Sequence, residues 1–300
     1  PFGQVGLGAQ QQRVGAQQPQ LAVGGALDRH VEQLAREVED LDGVELGSTH
    51  IWSGDIPRAV VAAWNKPVIT HNYFPPARES MVLNIASPDP EIRDASIRHM
   101  TYCLEVAAQL GAPLYTIHPG FLAEPKVAAP DAAGRKFDFG FQGATTPYER
   151  AFELMVDALG RLCDAAAAHG VALAIETEGS LTSRDVTLME RPEEYDRLFD
   201  ALPTGLHLNL NLAHTSLAAK GHDFDVADFV TRFKDRIAAV EISHNDGFGD
   251  QHRPLEADAP VLDLIPLLPA VPLILEFRCA TTSDIRNSAR LVRAANPANA

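Results

Sequence analysis

The chain of 300 residues is poor in cysteine and has no long apolar run, and both shortages restrict what it can be. Its three cysteines (Cys103, Cys163 and Cys279) are odd in number and far apart, which argues against a disulfide framework. No apolar run reaches the length of about 18 residues that a membrane span requires. We therefore expect a protein with reduced thiols in a cytoplasmic compartment and no contact with a membrane.

Basic residues are also scarce. The chain has 25 Lys and Arg against 40 Asp and Glu, which gives a formal net charge of −15. Affinity for nucleic acid comes largely from basic side chains that neutralise phosphates, so nucleic acid is not expected as a partner. The first residues, 1–25, are rich in Gly and Gln, and they lack the basic and then apolar pattern of a signal peptide. We interpret them as an N-terminal arm.

Residues 26–300 predict a single domain in which short apolar strands alternate with amphipathic helices. The predicted strands are 43–46, 67–70, 113–117, 171–175, 206–212, 237–242 and 272–275. The predicted helices are 27–39, 56–64, 90–110, 148–169, 191–202, 224–236, 261–268 and 282–295. If the arm contributes a first strand, at residues 5–7 or 21–23, about eight strand–helix units result, which is typical of an α/β fold of the (β/α)8 TIM-barrel class. An open doubly wound sheet is the alternative, but the chain shows no convincing phosphate-binding glycine loop.

Side chains that can bind metals follow several of the predicted strands. They are His71, His118, Glu176, Asn211, His214, His244 and Glu276, with Asp250 and His252 in the loop after His244. One such residue is more often structural than functional. Several on independent strands are difficult to explain without a cation, because buried carboxylates repel one another. In a barrel these strand ends meet at one mouth, so the sequence predicts a site there for a divalent metal.

The ordered motifs THNYFPP, TIHPGF, AIETEG, NLAH, EISHND, DQH and LILEF resemble the xylose isomerase-like TIM-barrel superfamily. The resemblance is greatest to the branch with sugar phosphate isomerases/epimerases and endonuclease IV, and it covers roughly residues 43–295. It implies a central metal site of Glu176, Asn211, His244 and Glu276. It further implies a second site in which His71 and His118 share Glu176, and a third site of His214, Asp250 and His252. The cofactor would be one to three divalent ions of Mn, Zn, Co or Fe. Where the family has Asp, this chain has the uncharged Asn211.

The resemblance implies a metal-dependent isomerase or epimerase that acts on a sugar, sugar phosphate or polyol. Glu176 and Glu276 would form the acid/base pair that moves a proton next to a metal-polarised carbonyl. Contacts to a carbohydrate-like small molecule are predicted for Tyr73, Phe139 and Arg253. Two alternatives stay open, a multi-metal phosphoesterase of the endonuclease IV type and a multinuclear iron-dependent oxidase. The sequence also leaves open whether the chain forms a homodimer.

Overall fold

The structure is a computed structural model that describes residues 5–7, 41–47, 66–79, 81–127, 139–179, 185–278 and 280–295. The predicted helices at 27–39 and 56–64, the alternative first strand at 21–23 and the predicted boundary between residues 25 and 26 lie outside these ranges. Within them, no helix combines the length and the apolar character needed to cross a membrane.

Eight parallel strands form one sheet that closes into a barrel. In chain order the strands of the structure are β1 (Val5–Leu7), β2 (Val44–Leu46), β3 (Val68–His71), β4 (Leu114–Ile117), β5 (Glu124–Val127), β6 (Phe139–Gln142), β7 (Ala172–Glu176), β8 (Leu206–Asn211), β9 (Ile237–Ile242) and β10 (Leu273–Leu275). All but β5 and β6 belong to the barrel, in the order β1-β10-β9-β8-β7-β4-β3-β2. The two end strands, β1 and β2, lie next to each other. The predicted TIM barrel is therefore confirmed.

The helices cover the outer face of this sheet. They are α1 (Pro90–Gln109), α2 (Tyr148–His169), α3 (Pro192–Ala201), α4 (Leu212–His222), α5 (Val226–Phe233) and α6 (Thr282–Ala295), with a 3-10 helix at Pro260–Leu267. Their ends follow local rules. The side chain of Asp89 accepts the backbone N–H of Glu91 and caps α1, and α2 stops at Gly170, whose φ of 67° is in the left-handed region.

Two segments contain elements that the sequence did not predict. Residues 122–146, which have little periodicity and were expected to form a long loop, contain β5 and β6, which pair antiparallel, with Glu124 opposite Gln142. The helix α4 was not predicted, since no element was expected between the strand at 206–212 and the helix at 224–236. Its sequence has no amphipathic stripe, because buried residues such as Leu212, Thr215 and Leu217 lie on several sides of it. Helices that are buried all round lack the periodic signal that a sequence reading relies on.

The alternation of side chains along the strands builds the floor of a site inside the barrel. A small apolar cluster, separate from the main core, is made by five strands: Ile69, Leu114, Ala174, Ala239 and Ile274. Residues two positions apart share a face of a strand. Two positions further on, and nearer the mouth, these strands carry His71, Thr116, Glu176, Glu241 and Glu276. An apolar layer therefore supports a polar layer at the carboxyl ends of the strands.

Candidate metal centre

The polar layer contains an unusual concentration of buried ionisable groups. Four sets of three side chains place ligand atoms within 4.8 Å of one another. They are His71–His118–Glu176, His214–Asp250–His252, Glu45–His71–Glu241 and Glu176–Glu241–Glu276. Among the described residues, these buried imidazoles and carboxylates are consistent with the binding of divalent metal.

Asn211 lies at the centre of the layer. Its amide nitrogen donates to Glu176 Oε1 at 3.0 Å, Glu241 Oε2 at 2.9 Å and Glu276 Oε2 at 3.1 Å. Its side-chain oxygen accepts the backbone N–H groups of residues 213 and 214 and so caps α4. One amide therefore joins three strands of the barrel to the start of a helix.

The first flanking group, His71–His118–Glu176, lies at the carboxyl ends of β3, β4 and β7, with His118 directly after β4. Nδ1 of His71 and Nδ1 of His118 are 3.8 Å and 3.5 Å from Glu176 Oε2. That oxygen is buried and has no hydrogen bond of acceptable geometry within the described part of the chain. Nδ1 of His118 also lies 2.7 Å from Oε1 of Glu178, which fixes the orientation of the ring. The group thus offers two imidazoles and an oxygen without a partner.

The second flanking group, His214–Asp250–His252, lies between α4 and the loop after β9. Oδ1 of Asp250 is 3.5 Å from Nε2 of His214 and 2.8 Å from Nε2 of His252, and Arg278 donates to its other oxygen. Asp250 Oδ1 and His252 Nδ1 are both buried without a hydrogen bond of acceptable geometry to any described residue. Burial opposes ionisation of Asp250, but His214 and His252 outweigh it and hold its pKa below the usual value.

The carboxyl groups divide into two kinds by their pKa values. Burial, reinforced by repulsion between neighbouring carboxylates, raises the pKa of Glu45 and of Glu241 well above the usual value. Burial also opposes ionisation of Glu176, but the surrounding imidazoles, led by His118, outweigh it and hold its pKa well below the usual value. Burial opposes ionisation of Glu276 as well, but His252 outweighs it and lowers the pKa of that carboxyl. Glu176 and Glu276 are therefore the ionised members of the layer.

The imidazoles also differ from one another. Burial lowers the pKa of His71 to about 4, which keeps its ring in the neutral form that metals bind. Burial also lowers the pKa of His118 and of His252, but neighbouring carboxylates outweigh it. Glu176 acts most strongly on His118 and Glu276 on His252, and each pKa rises to about 9. Without a cation, imidazolium groups therefore balance the buried carboxylates.

The residues present fit a divalent metal in the two flanking groups, where imidazoles meet a carboxylate and buried oxygen and nitrogen atoms lack partners. The central group, Glu176–Glu241–Glu276, fits a metal less well. Asn211 turns its amide nitrogen toward these three carboxylates, and that nitrogen is a hydrogen-bond donor with no lone pair for a metal.

Of the nine predicted metal ligands, the structure brings His71, His118, Glu176, Asn211, His214, Asp250, His252 and Glu276 into this layer or its flanking groups. It does not place His244 in any of the four groups. His244 lies after the end of β9 and pairs through its backbone with Arg253. Glu241, which the sequence reading missed, takes the central position instead. Counting in steps of two along β9 from the interior Ala239 leads to Glu241 and not to His244.

Glu178 is a second residue that the sequence reading missed, although it lies only two positions after Glu176, just beyond the end of β7. Of the predicted substrate contacts, Tyr73 accepts the backbone N–H of Leu83 with its hydroxyl and packs against the core. Arg253 is half exposed and lies 3.6 Å from the carboxylate of Asp246. Phe139 begins β6. Their contacts to a substrate stay predictions.

One curated protein is related to this chain in sequence. An uncharacterized protein of Methanocaldococcus jannaschii is 25% identical over 170 residues, which is 57% of this chain and 55% of that protein. The match thus spans about half of that relative's length.

Solved structures share the fold over most of this chain. The TTHB071 protein from Thermus thermophilus, soaked with ZnCl2, superposes with a TM-score of 0.60 at 17% identity, over 90% of this chain and 96% of that one. D-Psicose 3-epimerase from Clostridium cellulolyticum, crystallised with D-tagatose, has a TM-score of 0.59 at 13% identity, over 91% and 92%. A D-tagatose 3-epimerase-like protein has a TM-score of 0.65 at 14% identity, over 86% and 90%. At these identities the likeness shows the fold alone.

The family model described as "Xylose isomerase-like TIM barrel" matches residues 30–271, which is most of the chain. The chain belongs to the xylose isomerase-like TIM barrel family.

Proposed function

We propose that the chain is a metal-dependent isomerase or epimerase that acts on a neutral, carbohydrate-like carbonyl compound. One observation carries this proposal. Glu176 and Glu276 are both kept ionised and approach the same point at the barrel mouth, 3.0 Å and 3.1 Å from the amide nitrogen of Asn211. Two fixed carboxylates are what proton transfer at a carbon next to a carbonyl requires.

The two carboxylates would divide the work. One carboxylate takes the proton from the carbon, and the carboxylic acid so formed returns it to the neighbouring carbon, which gives isomerisation. Return of a proton to the opposite face, which gives epimerisation, requires that the second carboxylate first take up a proton from solvent. A divalent ion held by the imidazole–carboxylate groups would polarise the carbonyl. Asn211 holds Glu176 and Glu276 in position, and the apolar layer beneath them limits access of water from below.

The charges at the mouth favour a neutral substrate over an anionic one. Within the described part of the chain, three cationic side chains around the loop after β9 are already engaged. Lys220 donates to a backbone carbonyl at 2.6 Å, Arg253 lies 3.6 Å from Asp246, and Arg278 donates to Asp250. A phosphate group would have to compete with these carboxylates and with the negative charge of the layer itself.

Isotope exchange tests the proposal. Metal-loaded protein is incubated in D2O with a panel of ketoses and aldoses, headed by D-tagatose, and incorporation of deuterium next to the carbonyl is followed by NMR. We expect exchange that falls by about 100-fold or more in Glu276→Gln, because the variant keeps the shape of the side chain and removes the base. Glu256→Gln, which removes the same charge from an exposed position, is the matched control. Exchange that is unaffected by Glu276→Gln would contradict the proposed role.

A second candidate is a multi-metal phosphoesterase, and the buried group His214–Asp250–His252 favours it. Proton transfer by Glu176 and Glu276 does not need this group, whereas phosphate-ester hydrolysis with several ions uses each ion to bind phosphate or to generate hydroxide. His252→Ala separates the two functions. It should lower isotope exchange modestly if the chain is an isomerase, and abolish hydrolysis of bis-p-nitrophenyl phosphate if the chain is a phosphoesterase.

A further inference from the structure

We propose that the amide group of Asn211 takes the place of a metal ion among Glu176, Glu241 and Glu276, so that this chain binds two ions, in the flanking groups, and none between them. The inference rests on the metal dependence of the proposed function and not on its substrate. It concerns the position where the resemblance implied a central metal.

The chemistry of the side chain at 211 is the first reason. An Asp there could cap α4 with one oxygen and offer the other oxygen to a metal. Asn has only one side-chain oxygen. This oxygen already accepts two backbone N–H groups, from Ala213 at 3.1 Å and from His214 at 3.2 Å, and has no further lone pair for a metal. Turning the amide over would place its N–H groups against these two N–H donors. The capped helix therefore holds the donor end toward the three carboxylates.

The carboxylates themselves are the second reason. Both oxygens of Glu241 already accept from amides, Oε1 from Asn209 at 2.8 Å and Oε2 from Asn211 at 2.9 Å. The same amide nitrogen lies 3.0 Å from Oε1 of Glu176 and 3.1 Å from Oε2 of Glu276, so its two N–H groups are shared among three carboxylate oxygens. An N–H donor thus occupies the centre of the three carboxylates, where a metal ion would otherwise lie.

The atoms that lack partners are the third reason, because they point to the flanking groups. Oε2 of Glu176 faces His71 and His118. In the other group, Oδ1 of Asp250 lies 2.8 Å from Nε2 of His252 and Nδ1 of His252 lies 3.0 Å from Oε2 of Glu276, but neither contact has the geometry of a hydrogen bond. Glu176 and His252 are only 1% and 5% exposed. Buried polar atoms without partners are rare and costly, so these positions suit ligands of a bound ion.

Ion counting tests this arrangement without any substrate. The folded chain is stripped with a chelator, reloaded with MnCl2, desalted and analysed by mass spectrometry for manganese per chain. We expect two ions in the wild-type protein and three in Asn211→Asp, because Asp keeps an oxygen for the cap and turns a second one toward the three carboxylates. Asn287→Asp adds the same charge on the exposed surface of α6 and should keep two ions. His71→Ala and His252→Ala should each retain one ion.

Three ions in the wild-type protein would overturn the inference, since the carbonyl of Asn211 would then be a ligand. A count of one or none overturns it as well, and so does an Asn211→Asp protein that is folded and still holds two. If circular dichroism shows that Asn211→Asp does not fold, the wild-type count and the two histidine variants decide alone. Retention of two ions by His71→Ala or by His252→Ala would also overturn the inference. Failure of the isomerase assay leaves these counts unchanged, so the two proposals can fail separately.

Discussion

Glu178 gives the sharpest prediction about the candidate metal centre. Its Oε1 lies 2.7 Å from Nδ1 of His118, and the two side chains are 13% and 29% exposed. Because Glu178 engages Nδ1, the nitrogen of His118 that is left to bind an ion is Nε2. A metal-bound imidazole commonly gives its other nitrogen to a carboxylate of this kind, which orients the ring and raises its basicity. Glu178→Gln keeps the size and a hydrogen-bond acceptor but removes the charge, so it should weaken the ion held with His118.

The size of the expected loss in metal affinity follows from the hydrogen bond between Glu178 and His118. A charge-assisted hydrogen bond contributes about 1.5–3 kcal/mol, and the partial exposure of the His118 ring reduces this to about 1–2 kcal/mol. Such a loss raises the dissociation constant by about 5- to 30-fold.

Calorimetric titration with MnCl2 measures this constant. The relevant ion is the one that His71→Ala fails to bind, and its affinity in Glu178→Gln is compared with that in the wild-type protein. Glu149→Gln removes an equal charge from a side chain that is 70% exposed and paired with Arg197, and it should leave the affinity unchanged. Unchanged affinity in Glu178→Gln, or an equal loss in Glu149→Gln, would refute the positioning role.

Three further predictions concern the framework. Tyr195→Phe should lower the free energy of unfolding in urea by about 1–3 kcal/mol, because the buried hydroxyl serves two backbone groups. Gly179→Ala should destabilise the chain by more than about 3 kcal/mol, since its Cβ would lie 2.0 Å from the carbonyl oxygen of His214, whereas Gly140→Ala, with open space around it, should be neutral. Equal unfolding midpoints for the two glycine variants would contradict this. Burial raises the pKa of Cys103 to about 12, so below that pH its thiol stays protonated. At pH 8 iodoacetamide should label Cys103 only after unfolding, as peptide mapping can check.

Much of the fold was predictable because its signals are local. The helices α2 and α6 match their predicted bounds, since an amphipathic stripe and a terminating residue such as Gly170 are visible over a short window. The apolar strands were visible for the same reason. The helix α4 and the β5–β6 hairpin were not predicted. The helix is buried on most sides, and the hairpin consists of two short strands that are separated by several residues in the chain.

The sequence by itself determined which residue types reach the barrel mouth, because strand ends and their polar neighbours can be read in order. Only the tertiary structure decided which of them face one another. Glu241 joins the clustered ligand groups and His244 does not, and this depends on how β9 is set in the closed sheet. The orientation of Asn211 depends on two backbone groups of α4 and on carboxylates as distant in sequence as Glu276. Such contacts arise between strands that meet only when the barrel closes, so no local pattern could determine them.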